Sequence, residues 1–124
     1  MGTLSNKIVL CVDDKPWDLS VIKVALKDHY KVFSAKSAVE ALDFMNRQKV
    51  NLFILETEMP YIDGYDLALL IRMDNRYTET PIIFLSRHAT RGHVISSMQA
   101  GGNDFIIKPI DPDQFLAKVK SFLN

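Results

Sequence analysis

A chain of 124 residues is the length of about one domain. Its 48% hydrophobic and 24% charged residues are ordinary for a globular protein, and at this size one hydrophobic core suffices without disulfide or metal staples. Fifteen basic residues balance fifteen acidic ones, which excludes the electrostatic footprint of direct nucleic-acid or anionic-membrane binding. The single cysteine, Cys11, sits inside an apolar run, so it forms no internal disulfide and reads as a small core residue. No run approaches the ~20 apolar residues of a membrane span, and the first residues lack a basic-then-apolar signal. The cytoplasm is the simplest location.

In chain order, residues 1–6 are polar and expected to be loose. Lys7 to Val12 is a short apolar run rich in β-branched residues that stops at Asp13-Asp14, the pattern of a strand covered on both faces. Pro16 fits the first turn of a helix, with Asp14 as the expected N-cap and Leu19, Ile22, Ala25 and Leu26 on the apolar face. Lys31 to Ala35 is a second, more polar strand of the kind found at a sheet edge. Ser37 and Glu40 have capping-box spacing ahead of a helix with Ala38, Ala41, Leu42 and Met45 inward. Strand three is Asn51 to Leu55. Asp63 caps helix three, whose stripe is Leu67, Leu70 and Ile71 and which is expected to end near Asn75. Strand four is Ile82 to Leu85. Helix four runs from about Arg91 to Ala100, where Gly101-Gly102 stop it. Strand five is Asp104 to Ile107, and Asp111-Pro112 open helix five, with Phe115, Leu116, Val119 and Phe122 inward.

Five strands alternating with five helices through short connections force parallel strands and right-handed crossovers. The expected fold is a doubly wound, three-layer α/β sandwich in a single domain spanning residues 1–124, with its functional edge at the carboxyl ends of the strands. Asp13-Asp14, Glu56, Ser86 and Lys108 directly follow strands one, three, four and five, so parallel pairing brings them to that one edge. Two carboxylates about 4 Å apart repel by roughly 4 kcal/mol at an effective dielectric of ~20, so the acids need a cation or shifted pKa values. An all-oxygen set without histidine or cysteine suits a hard ion such as Mg²⁺, and a lysine with a hydroxyl would hold a phosphoryl oxygen.

Asp13-Asp14, Met59-Pro60 with Asp63-Gly64, Pro81-Ile82-Ile83-Phe84-Leu85-Ser86, and Ala100-Gly101 through Lys108-Pro109 together resemble the receiver domain of two-component response regulators. The resemblance covers about Lys7 to Leu123. It implies the flavodoxin-like (βα)5 strand order 2-1-3-4-5, for which a member of this family is the standard example. It further implies that Asp13 and Asp14 hold Mg²⁺ with help from the backbone carbonyl of Glu58, with Glu56 completing the metal set. By the same likeness, Ser86 is the switch hydroxyl, Phe105 the switch aromatic, and Lys108 the partner of the acidic centre, with a cis Lys108-Pro109 bond. The implied partners are a histidine kinase or phosphotransfer protein, or a downstream effector domain. Helix four, strand five and helix five would provide the face for effector contact or for a homodimer. Because the chain stops directly after helix five, where output domains are joined in the family, it reads equally as a whole protein or as part of a longer regulator.

Two residues depart from the family pattern. Glu56 stands where the family has its phosphoacceptor aspartate, and one added methylene shifts the carboxylate by about a bond length. The longer acid is expected to reach toward Ser86 or Lys108 without any phosphate. Arg87 stands where the family has a small residue, and is expected to narrow the pocket or pair with Glu56. The leading function is therefore a non-enzymatic signalling module, either phosphorylation-independent or permanently biased. Its rival is a Mg²⁺-dependent phosphatase or phosphotransferase using the same acids, although Asp13-Asp14 lacks the Asp-x-Asp spacing such enzymes favour. A nucleotide or flavin binder ranks last, since no G-x-G-x-x-G or Walker sequence follows strand one. His88 and His93 have no ligand spacing and read as solvated surface, while Trp17 and Tyr61 read as exposed aromatics flanking the acidic edge.

Overall fold

A computed structural model describes residues 5–88 and 90–124. The elements are β1 (Ile8–Val12), α1 (Pro16–Leu26), β2 (Lys31–Ala35), α2 (Ala38–Arg47), β3 (Leu52–Glu56), α3 (Gly64–Met73), a 3-10 turn (Asn75–Tyr77), β4 (Ile82–Ser86), α4 (Arg91–Gln99), β5 (Asp104–Ile107) and α5 (Pro112–Leu123). The five strands pair in parallel in the order β2-β1-β3-β4-β5, as the sequence and the resemblance lead one to expect. Of the expected loose segment 1–6, residues 1–4 lie outside the described residues; the Ser5 amide donates to the His29 carbonyl at 3.0 Å.

Successive strand side chains point to opposite faces, and this alternation sorts the core into two layers. Leu10, Val12, Phe53, Leu55, Ile82 and Phe84 face α2 and α3, meeting Ala41, Phe44, Leu67 and Ile71. Val9, Cys11, Leu52, Ile54, Ile83 and Leu85 face α1 and α5, meeting Leu19, Ile22, Leu26, Phe115 and Val119. Burial in this second layer pushes the Cys11 thiol far up, with Asp13 adding to the effect, which suits an inert core residue. Among the described residues no helix is long and apolar enough to cross a membrane.

Four helix details correct the sequence reading. The N-cap of α1 is Lys15 rather than Asp14, and no side chain caps it. In α2 the buried stripe includes Phe44, while Leu42 is only partly buried. In α3 the stripe is Leu67, Ala68 and Ile71, and Leu70 is exposed. That helix ends at Met73, before Asn75, because Asp74 takes an extended backbone and its carboxylate accepts the Arg76 N–H at 3.0 Å, starting the 3-10 turn.

Candidate functional site

Strand alternation also decides which polar residues meet. Asp13 continues the series Val9, Cys11 in β1, and Glu56 continues Leu52, Ile54 in β3, so both point toward the α1–α5 layer. Ser86 continues Ile82, Phe84 and belongs to the opposite face. The first turn of α1 lies over the Asp13 side, and there it delivers Asp18.

These residues converge on the Lys108 ammonium. Its Nζ donates to Asp13 Oδ2 at 2.6 Å, to Asp18 Oδ2 at 3.0 Å and to Glu56 Oε1 in a very short contact. An ammonium has three N–H donors, and here each goes to a different carboxylate. Asp13, Glu56 and Lys108 are only 1%, 4% and 7% exposed, so the cluster is a buried ion network in which partner geometry sets the energy. Burial alone pulls the Lys108 pKa down, but the hydrogen bonds it donates to Asp13, Glu56 and Asp18 outweigh that and hold the ammonium above its ordinary value. The stability this contributes is complete below the unfolded value of 10.5 and is lost only as pH rises through the higher folded value. For Asp13 the balance runs the other way: burial raises its pKa, and the Lys108 hydrogen bond and the Lys15 amide only partly offset that.

The remaining carboxylate oxygens are also engaged. Asp13 Oδ1 accepts the Lys15 N–H at 3.0 Å. Arg87 Nη2 donates to both oxygens of Asp18, at 3.1 and 3.3 Å. Glu56 Oε2 accepts the Glu58 N–H at 3.1 Å and lies 3.2 Å from Thr57 Oγ1. Thr57 Oγ1 is also 2.9 Å from Ser86 Oγ, which in turn accepts the His88 N–H at 3.0 Å. A hydroxyl has one proton and an ionised carboxylate can only accept. The Thr57 proton therefore goes to Glu56 and the Ser86 proton to Thr57, linking Ser86 to the acid through one relay hydroxyl.

The sequence-selected residues are thus placed unequally. Asp13, Glu56 and Lys108 meet, and Ser86 joins through Thr57. Asp14 does not join; it is partly exposed and pairs with Lys15 Nζ at 3.2 Å. Its place among the acids is taken by Asp18, because adjacent residues leaving a strand diverge to opposite faces. The expectation that Arg87 pairs with Glu56 is corrected as well: it pairs with Asp18 and remains about half exposed at the rim. Phe105 lies opposite Phe84 in the β4–β5 register, partly buried against the α2–α3 layer and away from the acids. The Lys108-Pro109 bond is cis, as the resemblance implies. Trp17 and Tyr61 are exposed, Tyr61 with a left-handed backbone at φ 67°. Sequence reasoning missed Asp18 and Thr57. Alternation within β1 and β3, combined with an acid in the first turn of the helix covering that face, was the available signal for Asp18.

Gly64 closes the loop after β3. Its N–H donates to the Thr57 carbonyl at 3.0 Å, and a Cβ there would collide with the carbonyl of Glu56. Gly64→Ala is expected to push the Glu56 strand end away from Lys108 and to cost about 1–3 kcal/mol as overpacking. Chemical denaturation compared with Gly92→Ala, where an added Cβ meets only Thr90 Oγ1 at an unstrained 3.9 Å, measures this cost.

Oxygens of Asp13, Asp18 and Glu56 lie within 4.8 Å of one another, the one such group of potential metal ligands among the described residues. The donor chemistry fits a hard divalent ion. An ion entering there would share these oxygens with Lys108.

A doubly wound parallel sheet carrying acids, a hydroxyl and a lysine at its carboxyl edge defines a signalling module of the phosphoryl-receiver class. The chain belongs to the response regulator receiver domain family, which its sequence matches over residues 9–120. It is 34% identical over 117 residues to response regulator Rre1 of Synechocystis sp., covering 93% of this chain and 51% of that protein. It is 30% identical over 119 residues to a chemotaxis protein CheY homolog of Campylobacter jejuni, covering 94% and 92%. The crystal structure of a response regulator from Thermotoga maritima superposes with a TM-score of 0.86 at 29% identity, covering 96% of this chain and 98% of that one. The chain spans about half the length of Rre1 and of YvrH from Bacillus subtilis. Receiver domains are generally signalling switches rather than enzymes; they bind Mg²⁺ at the acidic pocket and interact with histidine kinases and effectors.

Proposed function

We propose that this receiver domain acts as a protein-interaction switch that does not depend on phosphorylation, with Glu56 holding Lys108 from the position where the family carries its phosphoacceptor. The observation that carries this reading is the direct contact of Lys108 Nζ with Glu56 Oε1, while Oε2 is held by the Thr57 hydroxyl and the Glu58 amide. A nucleophilic carboxylate must aim a free oxygen at phosphorus, and phosphoryl transfer depends on that positioning. Here both oxygens are committed. The same saturation of Asp13 and Asp18 leaves nothing that favours a phosphatase reading.

Mg²⁺ would be held by Asp13 and Glu56, with Asp18 or Asp14 and the Glu58 backbone carbonyl as further oxygens, and would supply positive charge to an acid-rich pocket. Ser86 is the hydroxyl, and Phe105 the aromatic, through which a change at Glu56 would be read. Val94, Ile95, Met98 and Ile107 form an exposed apolar strip on α4 and β5 that suits an effector or a second copy. Incubation with a small phosphodonor and Mg²⁺, followed by intact-mass measurement, is expected to leave the protein unmodified. A gain of one phosphoryl group that disappears in Glu56→Gln would overturn the proposal.

A further inference from the structure

We infer that Glu58, His88 and His93 form a second divalent-ion site, selective for a borderline ion of the Zn²⁺ type, at the mouth of the acidic pocket. His88 Nε2 lies 3.1 Å from Glu58 Oε1. Ligand atoms on adjacent corners of a tetrahedral Zn²⁺ site are separated by about 3.3 Å, given Zn–N and Zn–O bonds of about 2.0–2.2 Å. The histidine–carboxylate pair is therefore already set at the bite such an ion requires. The His93 ring stacks on His88, with centroids 5.5 Å apart and planes 20° from parallel, and supplies a third ligand close by. His93 Nδ1 is in short contact with Thr90 Oγ1, which also accepts the His93 N–H at 3.2 Å. In the tautomer that donates Nδ1–H to that oxygen, Nε2 keeps its lone pair for the ion, the arrangement that outer-shell partners give metal-binding histidines. The three ligand atoms do not yet converge, and closing on an ion takes a swing of the His88 and His93 rings. His88 and Glu58 are more than half exposed, so ion entry and the swing of His88 meet no packing barrier, and His93 is partly exposed.

The site differs from the acidic pocket in chemistry: two imidazoles and one carboxylate prefer Zn²⁺ to Mg²⁺, whereas an all-oxygen set has the opposite preference. It also ties together the two loops that border the pocket. The Glu58 N–H donates to Glu56 Oε2, and the His88 N–H donates to Ser86 Oγ. An ion joining the two side chains would fix both backbones that hold the acid and the hydroxyl.

The test is calorimetric titration of the chain with Zn²⁺ in excess Mg²⁺, which competes with Zn²⁺ for the all-oxygen acidic pocket. One equivalent is expected to bind. His88→Ala and His93→Ala should each weaken binding at least tenfold, Glu58→Gln should weaken it less, and His29→Ala should leave it unchanged. In an amide NMR spectrum, Zn²⁺ should move the Glu58 and His88 signals together. No Zn²⁺ uptake, or uptake unaffected by both His88→Ala and His93→Ala, would overturn the inference.

Discussion

Glu56→Asp is expected to accept one phosphoryl group from a small phosphodonor in the presence of Mg²⁺, under conditions that leave the parent chain unlabelled. Removing one methylene withdraws the carboxylate by about 1.5 Å, the length of a C–C bond. That is enough to separate it from Lys108 Nζ, with which Glu56 Oε1 is in direct contact, and to free one oxygen to face a donor phosphorus. Misplacement of about 1 Å costs roughly a hundredfold in a reaction governed by positioning, so the expected difference in labelling rate is at least about two orders of magnitude. Asp13, Lys108, Ser86 and Thr57 keep their backbone anchors in this variant, and the first three are the groups a phosphoryl oxygen and its counter-ion require. Arg87 is paired with Asp18 rather than with Glu56. Labelling restored only when Arg87→Ala is added would show that the rim, rather than the acid's length, excludes the donor.

Lys108→Met is expected to produce the largest loss of stability of any substitution at the site. It removes the one cation that contacts Asp13, Asp18 and Glu56 together, leaving carboxylates whose side chains are 2%, 13% and 4% exposed. Taking away one partner of a buried ion pair costs about 3–5 kcal/mol, a large share of the ~5–15 kcal/mol that holds a domain folded. The pH dependence follows from the sign of the change. Carboxylates left unpaired in a buried site have folded pKa values above their unfolded ones, so the variant regains stability as pH falls and loses it as pH rises toward neutrality. Mg²⁺ should also recover part of the loss, since an ion bound to the native acids stabilises by mass action. Denaturation at neutral and mildly acidic pH, with and without Mg²⁺, measures all three effects. A variant as stable as the parent at neutral pH would show that the cluster carries no structural charge balance.

The fold could be read from the sequence because each strand is a short apolar run bounded by turn residues. The charged edge could be read because parallel strands must end together. What escaped was set by side-chain direction. Asp13 and Asp14 are neighbours in sequence, yet Asp13 turns toward α1 with Glu56, while Asp14 pairs with Lys15 at the surface. Asp18 follows no strand directly, so strand-end reasoning does not select it, although its carboxylate joins Lys108 to Arg87. Thr57 follows the conspicuous acid and reads as loop, yet it is buried and connects Glu56 to Ser86. Leu70 fits the i, i+3, i+4 spacing with Leu67 and Ile71, yet the buried face of α3 falls on Leu67, the small Ala68 and Ile71. Reach also decided Arg87: from the β4 exit its guanidinium extends over the first turn of α1 and meets Asp18 there.

A switch independent of phosphorylation requires Glu56 to fill the phosphoryl position already. Beryllofluoride, a phosphoryl mimic, added at constant Mg²⁺ while the backbone amide spectrum is recorded, tests this most directly. The parent's Thr57, Ser86 and Lys108 amides are expected to stay in place while those of Glu56→Asp shift. Equal shifts in the parent would show an open, ligand-competent pocket and contradict the assignment.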